Sequence, residues 1–487
     1  MPPKRFSLDE KAEIAKHIDL EQDVPSTPQW RAQERKVVKK LDMTLMPTVW
    51  ILYLFNYLDR NNIAQARLNS FEEDLGLVGN NFNTAVSILN VGYMLAQLPY
   101  NMILTRVRPH LYLPLCAALW SCVSASTAAT HSYNGLIAVR FVLGIVEAPF
   151  FPGAFYVMSC WYTRKELALR TAVLYSGLVL ATAFSGLIAA GVFAGLDGVS
   201  GLPGWRWLFI LEGAGSFAAA VIAMFVMPDY PESKTGSGKW LFSEEERKFA
   251  AGRIARDRVS QPEADRSVWY GLRLAAKDYR TWAFSFLPLG RVIVTHLRLP
   301  GFNNFYPSIV KGFHLGSTTK TLLLTAPPYL IGAAVSFLVA YSSDHRKERG
   351  FHISVPMAVA MIGFIISVAT LNVPARYFAS FLYTSGCFSA NAMVYTWAAS
   401  TLNQTPEKRA CATAMINLLS QLGNIWSPYF FPASDAPRYT MAMLLMLGFS
   451  VISIGCCVVM KMSLRRSNEK LREEAEESGR EVVLFTL

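Results

Sequence analysis

Charge is what this sequence has least of. Asp, Glu, Lys and Arg make up only 17% of its 487 residues, against about 25% in an ordinary soluble domain, and that scarcity excludes intrinsic disorder. Cysteine is sparse too, at 7 residues. Cys116, Cys122, Cys160, Cys387, Cys411, Cys456 and Cys457 all fall within or beside apolar stretches, so no disulfide framework is implied. Enzyme signatures are absent: no GxxxxGK[ST], no GxGxxG opening a helix, no HExxH and no CxxC. An ATP-driven pump is thereby excluded, neither a metal nor any other cofactor is expected, and the chain is not expected to be an enzyme. The first forty residues contain no apolar run, so no cleavable signal peptide is expected.

What is abundant is apolar surface. Hydrophobic residues reach 52%, with 30 Phe, 20 Tyr and 11 Trp, and the mean hydropathy is +0.27. About 20 apolar residues cross a bilayer as a helix. On that ruler the chain predicts an all-α membrane protein of twelve transmembrane helices, at 43–66, 82–104, 110–130, 134–157, 170–194, 206–227, 282–307, 318–340, 353–372, 376–399, 411–430 and 438–460. The runs are long and continuous, where a barrel would alternate in short segments.

The net charge of +11 invites a nucleic-acid reading until its location is examined. Of the 46 Lys and Arg, 36 fall on one side of the predicted spans: the N-terminal segment, the even-numbered turns, the stretch 228–280 and the tail. That bias predicts both termini and the central loop in the cytosol. The surplus is therefore a topology signal, and no nucleic-acid partner is expected. The sequon at Asn403 maps to a cytosolic turn.

The domain reading follows: a cytosolic tail 1–42, a six-helix bundle 43–227, a cytosolic loop 228–281, a second six-helix bundle 282–460 and a cytosolic tail 461–487. Ser243 with Glu246 forms a capping box, predicting a surface helix in the central loop. Two parallel six-helix halves are the layout of major facilitator transporters.

Ionisable groups deep in spans are costly and are functional candidates by default. The first span holds Asp59 and Arg60, the fourth Arg140 and Glu147, and the seventh Arg291, His296 and Arg298. Glu212 lies shallowly in the sixth. Arg140 and Glu147 share a face but stand about 10 Å apart along the axis. Asp59 and Arg60 point about 100° apart. Cross-helix pairs, Asp59 with Arg140 and Arg60 with Glu147, answer both problems. A carboxylate beside an arginine is held ionised, and one whose arginine is engaged elsewhere favours its proton. An anion that takes the arginine would thus draw a proton onto Asp59 or Glu147, and the two would cross together. The competing reading is a static strut joining spans one and four.

YLDRNNIAQARL and RFVLGIVEAPFFPG resemble segments of the anion:cation symporter family of the major facilitator superfamily. FNTAVSILNVGYMLAQLPYNMIL, SCWYTRKELALR, GWRWLFILEG, GFNNFYPSIVKGF, LTAPPYLIGA and GNIWSPYFFP narrow the resemblance to the fungal allantoate permease branch, which includes nicotinate, pantothenate and biotin permeases. The likeness covers roughly 35–465. It implies that proton coupling falls on Asp59 and Glu147, and anion binding on Arg60 and Arg140. Departures are Ala64 and Gln65 in the first-span motif and a degenerate TRVRP turn after span two, while SSDHRKER stands after span eight. Arg291 and Arg298 are not family features. They share a face, and read either as a second anion clamp suited to a polyanion or as snorkelling side chains.

Smaller features each carry two readings. Gly177, Gly186 and Gly191 in span five suggest close helix packing, and this span lacks the Gly-Pro feature of proton antiporters. Pro300-Gly301 and Pro327-Pro328 are expected to break or bend their helices. Tyr53, Tyr57, Asn391, Tyr395, Trp397, Asn417, Gln421 and Asn424 either line a cavity or pack between helices. Trp205 and Trp207 read as interface belt.

The expected function is a monomeric secondary transporter in the plasma membrane, moving a small organic anion inward with protons by alternating access. Its partners are the substrate anion, protons and the bilayer. An exporter of a secondary metabolite is the alternative, and a non-transporting nutrient sensor ranks below both.

Overall fold

The computed structural model describes residues 28–104, 107–231, 233, 241–259, 273, 277, 302–313, 316–346, 348–401 and 423–478. Its longer helices are α1 (Pro28–Met43), α2 (Leu45–Ala66), α3 (Asn81–Leu104), α4 (Pro109–Ser126), α5 (Tyr133–Glu147), α6 (Phe150–Trp161) and α7 (Arg164–Leu196). There follow α8 (Gly204–Val226), α9 (Glu244–Val259), α10 (Phe302–Lys311), α11 (Thr318–Arg346), α12 (Gly350–Ala369), α13 (Val373–Thr401) and α14 (Thr440–Ser478). Ten of the twelve predicted spans coincide with these helices. Most of 282–307 and of 411–430 lies outside the described residues. Among the described residues, seven helices are long and apolar enough to cross a membrane.

Local chemistry sets several boundaries. Pro109 opens α4 at a position where its missing N–H costs nothing. Ser132 caps α5, its hydroxyl accepting from the Gly135 N–H at 3.3 Å. The fourth span is two helices, because Pro149 has no N–H for the ladder. Ala148 and Pro149 keep helical dihedrals, so the chain runs on with only its hydrogen bonding interrupted, directly after Glu147. The capping box of α9 forms: Glu246 Oε2 accepts from the Ser243 N–H at 3.0 Å, and Ser243 Oγ from the Glu246 N–H at 3.2 Å.

Pro327 and Pro328 do not break their helix; α11 runs unbroken from Thr318 to Arg346. Pro328 leaves the Leu324 carbonyl without its helical donor. The Tyr377 hydroxyl on α13 donates to that oxygen at 3.1 Å, as helices in lipid require. Pro300-Gly301 lies outside the described residues.

The chain forms two compact units. The first comprises Met1–Asn62, Val91–Ala181 and Arg206–Ala264; the second comprises Ile63–Asn90, Thr182–Trp205 and Asp265–Leu487. In the first, small residues let helices close up. A side chain at Gly92 would run into the Phe141 carbonyl, which sets α3 against α5. A Cβ at Gly213 would stand 2.8 Å from the Ala125 methyl, which sets α8 against α4. Of the span-five glycines, Gly177 packs against Trp50 and Tyr53, and Gly186 against Thr325 within the second unit, while Gly191 meets open space. Packing explains two of the three.

In the second unit α12 and α11 pack on α13, and α14 on α12. Trp205 is not an interface residue. It is fully buried, lies edge-on to Phe71, and donates to Asp74 Oδ2 at 2.6 Å.

Candidate functional site

Five ionisable side chains of the first unit come from three helices. α2 brings Asp59 and Arg60, α5 brings Arg140 and Glu147, and α8 brings Glu212. Asp59, Arg140, Glu147 and Glu212 are all buried. A static apolar core would exclude such groups, because each charge loses its hydration.

One of the two cross-helix pairs forms as the geometry of a helix demanded. Arg60 Nε donates to Glu147 Oε2 at 2.5 Å. The guanidinium carbon stands 4.6 Å from the Tyr93 ring centre and 5.4 Å from that of Tyr57, so the cation is flanked by aromatic faces as well as paired. Tyr57, expected either to line a cavity or to pack, is half-buried and lies against Arg60.

The other pair does not close. Asp59 is hydrogen-bonded to two hydroxyls: Ser124 donates to Oδ1 at 2.8 Å, and Ser216 donates to Oδ2 at 2.8 Å. Arg140 acts on Asp59 and Glu147 through its field without an ion-pair contact. It is 1% exposed, yet its Nε and Nη2 have no hydrogen-bond partner among the described residues. The Phe209 ring lies 6.0 Å from its guanidinium carbon. Glu147 Oε1 likewise has no partner. Buried polar atoms are almost always satisfied, so unsatisfied donors on a buried cation have the chemistry to receive an acceptor-rich group. A planar fork of N–H donors matches a carboxylate.

Sequence reasoning missed the two serines, Tyr93 and the depth of Glu212, which is 4% exposed rather than shallow. A signal existed: Glu212 and Ser216 are four apart on one helical face, within a run of small residues that marks close packing.

Other predicted residues have other fates. Tyr53 is buried among Tyr57, Phe150, Phe151 and Tyr175, a packing role. Trp397 and Asn424 are buried as well. Asn391 and Tyr395 lie on α13, and their side chains are outside what is described. Arg291, His296, Arg298, Asn417 and Gln421 lie outside the described residues.

Two further polar clusters flank the units. In the first, Lys36 and Lys40 reach Glu246 at 3.0 and 2.6 Å, and Arg253 bridges Glu166 and the Trp161 carbonyl, each at 2.8 Å. These contacts fasten α1 to α9, and α9 to the junction of α6 and α7. In the second unit, Arg67 pairs with Glu72 at 2.9 Å and stands over Phe82 and Phe305, 4.3 and 5.4 Å from their ring centres. Ser87 donates to the Ile425 carbonyl at 2.7 Å, and Thr84 meets the Tyr429 hydroxyl at 3.1 Å.

Known proteins share this arrangement of helices. The family profile of the Major Facilitator Superfamily matches residues 49–428. The MFS-type transporter cnsO of Penicillium expansum is 34% identical over 452 residues, spanning 91% of this chain and 85% of that protein. The major facilitator-type transporter hxnP of Emericella nidulans is 32% identical over 461 residues, spanning 92% and 89%. Among solved structures, a bacterial homolog of the human lysosomal transporter Spinster superposes with a TM-score of 0.64 at 15% identity, over 85% of this chain and 94% of that one. A D-xylose-proton symporter gives 0.62 at 12% identity, over 84% and 96%. At these identities the structures speak to fold alone. The fold is the all-helical one read from the spans, the relatives are transporters and not enzymes, and the chain is a multi-pass integral membrane protein that belongs to the Major Facilitator Superfamily.

Proposed function

We propose that this transporter carries a small organic anion inward together with protons, in the manner of the anion:cation symporters and their allantoate permease-like branch. The observation that carries the proposal is Arg140: a buried guanidinium with unsatisfied donors, beside an arginine already committed to Glu147. A carboxylate of the substrate is the natural occupant. Its negative charge competes with Asp59 and Glu147 for the field of the two arginines, and a carboxylate that loses a cation regains its affinity for a proton. Arg140 binds the anion, Arg60 holds Glu147 ready, and Asp59 and Glu147 carry protons.

Uptake of labelled nicotinate, pantothenate, allantoate and dicarboxylates, in permease-deficient yeast at two external pH values, tests this. Acid stimulation of one substrate is expected. Stimulation by alkaline medium would overturn proton symport, and efflux from preloaded cells without uptake would favour the export of a secondary metabolite. Arg291 and Arg298 enter the same proposal as a second clamp: if they serve the substrate, replacing either affects dicarboxylates more than monocarboxylates.

The orientation proposed has both termini in the cytosol of a plasma-membrane protein acting as a monomer. The basic flanks support it, as does the fastening of α1 to α9, which sets the N-terminal segment beside the central loop. Fluorescent tags at either end, with an impermeant quencher applied outside, check it.

A further inference from the structure

Glu212 takes no part in the scheme above, and its surroundings are unusual for a carboxyl group. It is 4% exposed, and neither of its oxygens has a hydrogen-bond partner among the described residues. Asn62, fully buried on α2, stands close enough to interact with it, and the charge whose field reaches it is that of Asp59. Ser216, one turn further along α8, gives its hydroxyl to Asp59 Oδ2.

No cation among the described residues pairs with it: Arg206, on α8 itself, donates to the Ala128 and Thr130 carbonyls at 2.9 and 3.2 Å. α2 brings Asp59, and Arg60 is committed to Glu147. α5 brings Arg140 and Glu147. α4 contributes Ser124 to Asp59, and its Cys122 is exposed. The five ionisable groups of this site are three acids and two arginines. With every group ionised the site would hold an unbalanced negative charge out of water, which burial penalises heavily. One proton restores neutrality. Asp59 accepts two hydroxyl donors, the arrangement that stabilises an anion, whereas neither oxygen of Glu212 accepts a hydrogen bond and only the neutral Asn62 amide stands near it.

We propose that Glu212 holds a resident proton, distinct from the coupling proton, which keeps the empty site electrically neutral so that one substrate anion calls for one further proton. The inference rests on reading this core as the proton-handling anion site. The resident proton is released to water only in alkaline medium, leaving a carboxylate on Glu212 and a site too negative to accept an anion.

Two measurements on the full-length protein test it. Dicyclohexylcarbodiimide reacts with protonated carboxyls in apolar surroundings. After treatment near neutral pH, mass spectrometry is expected to find the adduct on Glu212, and to find it lost at alkaline pH. Absence of the adduct on Glu212, with other buried carboxyls modified, would overturn the proposal. In transport, Glu212→Gln mimics the protonated form. It is expected to retain at least half of wild-type uptake at acidic pH and to abolish the fall in uptake on the alkaline side. An inactive Glu212→Gln that still reaches the membrane, or an unchanged alkaline limb, would overturn the proposal. Labelling does not depend on transport direction or coupling, so failure of the symport reading leaves it standing, and failure of labelling leaves symport untouched.

Discussion

Arg60 and the buried Glu147 form an ion pair at 2.5 Å, the guanidinium flanked by the rings of Tyr57 and Tyr93. Desolvation offsets much of the attraction in such a pair, so its net contribution to stability is small, while removing one partner strands the other at a cost of about 3–5 kcal/mol. Glu147→Gln separates charge from shape, because the amide oxygen still accepts from Arg60. The variant is expected to fold, to lose proton-driven uptake to the level of cells lacking the protein, and to keep exchange of internal for external substrate. Uptake and counterflow in proteoliposomes measure both. Wild-type proton-driven uptake in this variant would return the pair to the role of a strut.

Arg140 gives a different prediction, because its donors are unsatisfied. Losing a charge-assisted hydrogen bond costs about 1.5–3 kcal/mol, or roughly 10- to 150-fold in affinity. Arg140→Gln is expected to raise KM by that factor or to abolish uptake. Arg140→Lys keeps the charge but not the planar fork, and is expected to fall between. Thermal stability distinguishes this from misfolding: an unpaired buried cation is replaced by a neutral group, so Arg140→Gln is expected to melt no lower than the wild type.

Much of this was legible in the sequence, and the limits have physical causes. A run such as 206–227 shows itself as a span because hydrocarbon admits few alternatives to an apolar helix. Asp59, Arg60, Arg140 and Glu147 stood out because charge in such a run needs a reason, and helical angles led to the Arg60–Glu147 pair. The same angles admitted Asp59 with Arg140. Two serines, from α4 and α8, instead reached Asp59, and which side chain wins that contact depends on how closely helices approach. Gly213 sets that approach, and a glycine's effect on packing is visible only once its neighbour is known. Trp205 departs from its expected place for a related reason, since an indole suits both a lipid interface and a buried hydrogen bond to Asp74.

Glu246 supplies a pH prediction outside the membrane. Partial burial pushes its carboxyl upward, but the Lys40 ammonium, the Ser243 N–H and the Lys36 ammonium outweigh that and hold it down at about 2. The sign follows from linkage: a folded value below the ordinary carboxylate value of about 4.3 adds stability above that pH, lost as pH falls through about 2. Hydrogen exchange of α9 in purified protein, corrected for intrinsic rates, is expected to rise as pH drops across that window. Glu246→Gln is expected to show faster exchange already at neutral pH and no further loss in acid. Added salt should weaken the wild-type protection, since these groups lie near water.

The last prediction concerns the unbroken α11. Its Pro328 frees the Leu324 carbonyl, and the Tyr377 hydroxyl occupies that oxygen at 3.1 Å. Tyr377→Phe removes one donor and nothing else, leaving a half-buried acceptor without that partner. Interhelical hydrogen bonds in lipid contribute about 1 kcal/mol, so a small but measurable fall in melting temperature is expected in detergent. Tyr341→Phe serves as the control, because Tyr341 is 75% exposed and its loss should change nothing. Replacing Pro328 by Ala as well restores a helical N–H to Leu324, so the double variant is expected to recover the stability that Tyr377→Phe alone loses. If it does not, the hydroxyl stabilises α13 by some contact other than the carbonyl that the proline sets free.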